Sequence, residues 1–433
     1  MPRKMTLLPL IAATYFMVAG GPYGLEDTVS QAGYAGAILI LLLTPLLWSL
    51  PTALMVSELA SALPQQGGFY VWVSRGMGRF WGFQEAWLSL AGSVFDMAIY
   101  PTLFVGYLGH FAPALTSGRR GIAIGAAMIA ACALWNLLGA KVVGGSSLVM
   151  SIVLLGPFVV LMGYAIWRHS GLGAAPVALH RVDILGGILV AMWNYMGWDN
   201  ASTFADEVDR PQRTYPLAMF GTVILVAVTY VLPIAAVALT GLDANRWSTG
   251  GWADIARAVL GNGAVSQGLA LALTIGGMVG AAGTLNALTM SFSRLPVVLA
   301  EDGFLPKVFA KRHLKTGAPW VAILACATAW ALCLGFSFVK LIVLDVLLTG
   351  LSILLEFAAL VALRIREPDL PRPYRIPGGL FIAIAVGVFP FALLVLTVIR
   401  NQAEPLGPIN ALHLGLIIIA AGVLLYWASR HRA

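Results

Sequence analysis

Charge is what this sequence has least of: only 10% of its 433 residues are Asp, Glu, Lys or Arg, against about 25% in a soluble globular domain. With 59% hydrophobic residues, the chain has too little polar surface for a fold in water. Cysteine is scarce as well. Cys132, Cys326 and Cys333 lie apart inside apolar runs, which leaves no disulfide framework and no metal motif. The six histidines lie mostly at segment ends without ligand spacing, so neither a metal nor a cofactor is expected. No nucleophile–base constellation sits in the apolar segments, which argues against an enzyme. Rings of repeated charge, as in a channel, are missing too, and so is a signalling domain. The net charge of +7 does not indicate nucleic acid, because it is spread through the loops between apolar segments, where membrane orientation is a sufficient cause.

What the chain has in abundance is long apolar runs. A bilayer core about 30 Å thick needs roughly 20 apolar residues per helix. Twelve spans are expected: 6–29, 35–59, 80–111, 121–140, 145–167, 184–204, 215–240, 265–293, 319–338, 340–364, 378–400 and 409–429. The third is long enough to tilt or to extend past the bilayer. The ninth and tenth run nearly together, with a division placed at Phe338-Val339-Lys340. Met1-Pro2-Arg3-Lys4 and the run after it have the look of a signal peptide, but no small-residue cleavage site precedes a soluble sequence, so a retained first span is expected. With the N-terminus inside, 18 of the 26 Lys and Arg residues fall on the inner side, placing both termini in the cytoplasm. Compact loops and no transit-like leader point to a bacterial inner membrane. The fold class expected is an all-α membrane protein with one domain, 1–433.

Two spans are interrupted. Span one reads Gly20-Gly21-Pro22-Tyr23-Gly24-Leu25-Glu26-Asp27, and span six reads Trp193-Asn194-Tyr195-Met196-Gly197-Trp198-Asp199-Asn200. Proline lacks an N–H and glycine disfavours helix, so backbone groups lose their partners there. Such a break persists at membrane depth only inside protein or beside a watery cavity. Interrupted spans five apart are expected of two inverted repeats, 6–167 and 184–364, followed by appended helices 378–429, with a substrate site at the breaks. Freed amides and a half-helix N-terminus suit an anion, and freed carbonyls suit a cation.

Acids at membrane depth are costly and mark function. Glu26 and Asp27 follow the first break, Asp96 lies midway along span three, and Asp199 follows the second break. No Lys or Arg sits mid-span to pair with them, so the field suits an organic cation or a proton. Helix N-capping is an alternative for Asp27. Glu58 and Glu85, near span ends, read as structural, and Glu356 as paired with a basic loop. Asp345 has no assigned role. Tyr100, Trp193 and Trp198 add aromatic faces, each worth roughly 0.5–2 kcal/mol to an ammonium.

Four stretches carry a resemblance: Glu58-Leu59-Ala60 through Pro64-Gln65-Gln66-Gly67-Gly68-Phe69-Tyr70; Glu207-Val208-Asp209-Arg210-Pro211-Gln212-Arg213; Ser293-Arg294 through Asp302-Gly303-Phe304-Leu305-Pro306; and Leu363-Arg364 through Arg372-Pro373-Tyr374-Arg375-Ile376-Pro377. Together they resemble the amino acid–polyamine–organocation permease superfamily along nearly the whole chain. The first break, the segment Trp198-Asp199-Asn200-Ala201-Ser202-Thr203 and the run from Asp96 through Tyr100-Pro101 to Leu103-Phe104 are similar to plant-type polyamine uptake transporters, in the group that resembles L-type amino acid transporters. The resemblance implies a leucine-transporter-like fold, a site between spans 1, 3, 6, 8 and 10, and proton-driven uptake of polyamines or related cationic amines. It makes Glu26, Asp96, Tyr100, Trp198 and Asp199 the expected site. Gly20, Gly21, Gly24, Trp193, Asn194 and Gly197 join them from the breaks, with Glu26 and Asp27 as coupling candidates. Span five holds no lysine, which some proton-coupled members of the superfamily carry, so the coupling ion stays open. A neutral or broad-specificity amino-acid permease or exchanger of the same fold is the alternative, its substrate carboxylate held by the amides at Gly20, Gly21 and Gly24.

Overall fold

In a computed structural model, residues 5–138, 140–169, 183–406 and 409–430 are described. Of the basic residues used for orientation, Arg3, Lys4, Arg181 and Arg432 lie outside them. The chain is helical nearly throughout. In order come α1 (Leu7–Val18), α2 (Glu26–Thr44), a π-helical turn (Pro45–Ser49), α3 (Leu50–Ala62), α4 (Phe69–Met77), α5 (Arg79–Gly109), α6 (Pro113–Thr116), α7 (Gly118–Asn136) and α8 (Ala140–His169). Then follow α9 (Ile184–Asn194), a 3₁₀ segment (Asp199–Glu207), α10 (Pro211–Ala238), α11 (Trp252–Leu260), α12 (Ala264–Phe292), α13 (Arg294–Glu301), α14 (Trp320–Ala331), α15 (Phe338–Arg366), α16 (Gly379–Asn401) and α17 (Ala411–Arg430). Two-residue strands, Pro405–Leu406 and Ile409–Asn410, pair antiparallel before α17.

Every expected span coincides with a helix or a broken helix. Among the described residues, eight helices are long and apolar enough to cross a membrane by length and composition, and Leu7–Val18 and Trp320–Ala331 are shorter apolar helices. Span one is α1 plus the first residues of α2, and Gly33, at φ +65°, turns the chain into span two. In span two, Pro45 has no N–H to give, and the helix takes a π turn there rather than stopping. The long third span is α5, whose 31 residues make roughly 46 Å at 1.5 Å per residue. The division between spans nine and ten needs correcting. α14 ends at Ala331, and residues 332–337 form the connection, with Gly335 at φ +111°. That stretch is apolar, so composition hid the break.

α5 and α15 lie along one another and α12 packs beside α5, while α1, the second break and α9 face them. Large side chains fill the interior, among them Trp48, Trp72, Trp198, Trp252 and Trp330. Leucine, isoleucine, valine and phenylalanine are exposed along α16 and α17, as expected for helices that meet lipid rather than water.

Candidate functional site

The two breaks are packed on each other. Gly24 stands at φ +87°, and a Cβ there would lie 2.9 Å from the ring of Trp193. Gly197 stands at φ +93°, and a Cβ there would lie 2.5 Å from the carbonyl oxygen of Met17, at the end of α1. Both positions require glycine for conformation and for room.

Side chains take up several of the groups freed by the breaks. Trp252 Nε1 donates to the Pro22 carbonyl (3.0 Å), and Asn194 Nδ2 donates to that of Gly24 (3.3 Å). The Gly24 N–H donates to Glu26 Oε2 (2.6 Å), and the Tyr107 hydroxyl donates to Glu26 Oε1 (2.7 Å). Glu26 is therefore fully buried with a donor on each oxygen. At the second break, the Tyr230 hydroxyl donates to the Asn194 carbonyl (2.9 Å), and Trp198 Nε1 donates to that of Tyr195 (2.7 Å).

Between the breaks and α5, α12 and α15 lies a narrow cavity. Its lining includes Gly20, Asp96, Tyr100, Trp193, Asn194 and Gly197 from the expected set. It also includes Tyr23, Tyr107, Asn200, Thr284, Asp345 and Thr349, which the sequence reading did not assign. Water centres have about 40 Å³ of room in it, enough for roughly three waters. The cavity must widen before it takes a larger solute.

Six expected residues lie outside this lining. Gly21 backs onto Leu154, Gly24 touches Trp193, and Glu26 is turned to Gly24 and Tyr107. Trp198 is fully buried behind the second break. Asp199 is buried too, with Oδ1 free of any described donor. Asp27 does not cap α2, which has no side-chain cap. It accepts instead from Thr249 Oγ1 (2.7 Å), in the loop before α11.

The acids inside the cavity are held by neutral donors. Asp96 Oδ1 accepts from the Tyr100 hydroxyl (3.0 Å) and from Trp193 Nε1 (3.1 Å). Asp345 Oδ1 accepts from Thr349 Oγ1 (2.7 Å). No Lys, Arg or His lines the space among the described residues. The C-terminal ends of α1 (Met17, Val18) and α9 (Trp193, Asn194) border it, and a helix C-terminus carries partial negative charge. Acids and these two helix ends have the same sign and favour a cation, although Asn200 brings the N-terminal turn of the 3₁₀ segment to the same space.

The basic residues expected to pair with Glu356 are found on Glu58, whose structural reading fits that pairing. Glu356 has no described donor on either oxygen. Glu58 is the paired acid: Arg364 donates to both its oxygens (2.9 and 2.5 Å), Arg372 lies 3.4 Å away, and the Ile376 N–H donates at 2.8 Å. The pairing joins residues 306 apart, which local pattern cannot show.

The family profile described as amino acid permease matches residues 11–421. A probable polyamine transporter of Arabidopsis thaliana is 36% identical over 432 residues, covering 98% of this chain and 86% of the relative. The polyamine transporter PUT1 of Oryza sativa subsp. japonica is 35% identical, covering 96% and 78%. The serine/threonine exchanger SteT of Bacillus subtilis is 25% identical, covering 89% and 86%. The chain belongs to the amino acid permease family. As a permease it is a multi-pass membrane protein that moves solutes rather than an enzyme.

Proposed function

We propose that this permease imports polyamines or related cationic amines by alternating access, with protons as the coupling ion. The observation that carries the reading is the pair of acids Asp96 and Asp345 on one cavity that has no described basic residue in its lining. Two carboxylates facing one space suit a solute with two ammonium groups, and Tyr100 and Trp193 offer aromatic faces to its methylene chain and charges. The relatives named polyamine transporters support the same substrate class.

A second reading, an amino-acid permease or exchanger, has the SteT relative in its favour. Its substrate carboxylate would need the amides at the start of α2. One of them, the Gly24 N–H, is already taken by Glu26, which supports the amine reading. The basic loops favour cytoplasmic termini, and a bacterial inner membrane fits the compact chain.

The test is uptake by proteoliposomes under an imposed pH gradient, with labelled putrescine, spermidine and a panel of amino acids. Amine accumulation that collapses with the gradient is expected. Amino-acid uptake without amine uptake would replace this reading with the second one.

A further inference from the structure

The acidic surface continues past the cavity, along the seam between α5 and α15. On α5, Glu85, Ser89, Gly92 and Asp96 follow one another at steps of four, three and four residues. On α15, Asp345, Thr349, Ser352 and Glu356 follow the same steps. Eleven residues make three helical turns, leaving the ends of each set within about 20° of one face.

The two sets meet in antiparallel register. Ser89 Oγ and Ser352 Oγ are 2.7 Å apart, and a methyl group added at Gly92 would collide with the Thr349 hydroxyl. Asp96 thus stands level with Asp345, and Glu85 with Glu356, with roughly 16 Å of helix between the two pairs. The first pair lines the cavity and the second does not.

Glu85 and Glu356 are fully buried. Glu85 Oε1 accepts from Ser89 (2.8 Å) and Ser352 (2.9 Å), while its Oε2 and both oxygens of Glu356 have no described donor. The acids close enough to act on Glu356 include Asp199, from the 3₁₀ segment, and Glu85, level with it across the seam. Of the basic residues on the neighbouring elements, Arg364 is engaged with Glu58, Arg75 with Glu367, Arg79 with the Asp302 carbonyl and Arg366 with the Gly76 carbonyl. Lys340 stands at the far end of α15, roughly 24 Å of helix from Glu356, and α17 carries only His413, beside Asn410, and Arg430 in its last turn. α9 has no charged residue, and α16 only Arg400 in its last turn, paired with Asp183. Carboxylates enclosed without a cation are too costly to stay ionised together, and such groups take up protons instead.

We propose that Glu85 and Glu356 form a proton-binding site separate from the substrate cavity, and that this proton is the one coupled to import. Ser89, Ser352 and Thr349 give the seam hydroxyls between this pair and the acids of the cavity. The step is a proton transfer alone: the carboxyl O–H is lost, a carboxylate remains, and water on the inner side receives the proton. The proposal rests on the amine-import reading for its driving role but not for the site itself.

Two measurements test it. Infrared difference spectra of the purified protein at neutral pH report the protonated carboxyl C=O stretch without any substrate. Glu356→Gln and Glu85→Gln are each expected to remove intensity from that band, and an unchanged band in both overturns the site. In proteoliposomes, Glu356→Gln is expected to reduce pH-driven amine accumulation to near equilibration, while gradient-free amine exchange stays within about twofold of wild type. Accumulation that still follows the pH gradient, or a Glu356-dependent response to a sodium gradient at fixed pH, overturns the proposal. Wild-type protein that accumulates no amine defeats the import reading instead, and the infrared band then decides the site alone.

Discussion

Glu58, on α3 against α15, and Glu356, on α15 itself, are both fully buried glutamates, yet their surroundings are opposite. Glu58 carries a forked Arg364, a nearby Arg372 and a backbone N–H. Glu356 has no described donor on either oxygen. A buried charge that belongs to the architecture comes with its countercharge built in, since the desolvation of both ions must be offset by geometry. A buried acid without one needs something the protein does not supply, which on the proposals made above is a proton at Glu356 and an organic cation at Asp96 and Asp345. The position of the positive charge separates scaffold from working parts.

The largest expected effect falls on the paired site. Arg364→Ala leaves Glu58 buried and alone and should cost about 3–5 kcal/mol of stability, read as a large fall in the melting temperature of detergent-purified protein. Glu356→Gln should leave that temperature unchanged or raise it. If both variants melt alike, the contrast between the two glutamates is wrong. Next comes Asp96→Asn, which removes a charge from the cavity and should weaken amine binding roughly 100-fold, at the low end of the 2–5 kcal/mol such truncations cost, in calorimetric titration.

Glu26→Ala should act more moderately. It frees the Gly24 amide, so weak amino-acid binding should become detectable in a thermal-shift screen where wild type shows none. The smallest effect belongs to the exposed pair Arg75–Glu367, 2.7 Å apart. The hydrogen bond and charge of Arg75 hold the Glu367 carboxyl below its usual range. Its contribution is therefore present above about pH 4.3 and fades as pH falls through the lowered folded value. Arg75→Ala should reduce melting temperature slightly at neutral pH and not at all once Glu367 is protonated.

Much of this was legible in the sequence because its signals are local. Glycine and proline mark the breaks at 19–25 and 195–198, and apolar length marks the spans. Asp96, Tyr100, Trp193 and Asn194 stand beside those signals and line the cavity. Asp345 was passed over because its meaning lies in a partner on another helix, although the shared eleven-residue spacing with Glu356, matched by Glu85 and Asp96, was there to be read. The basic partner was assigned to Glu356 instead of Glu58 for the same reason, a contact spanning 306 residues. Leu332 to Phe338 looked like uninterrupted span because a glycine turn can be as apolar as a helix.

The most direct test compares putrescine with n-butylamine, two ammonium groups against one on the same chain, by calorimetric titration of wild type and Asp345→Asn. A cavity with two working acids predicts that wild type prefers the diamine by at least about tenfold, and that Asp345→Asn binds both amines with similar affinity. Equal affinity for the two amines in wild type, or a diamine preference untouched by Asp345→Asn, would contradict the account.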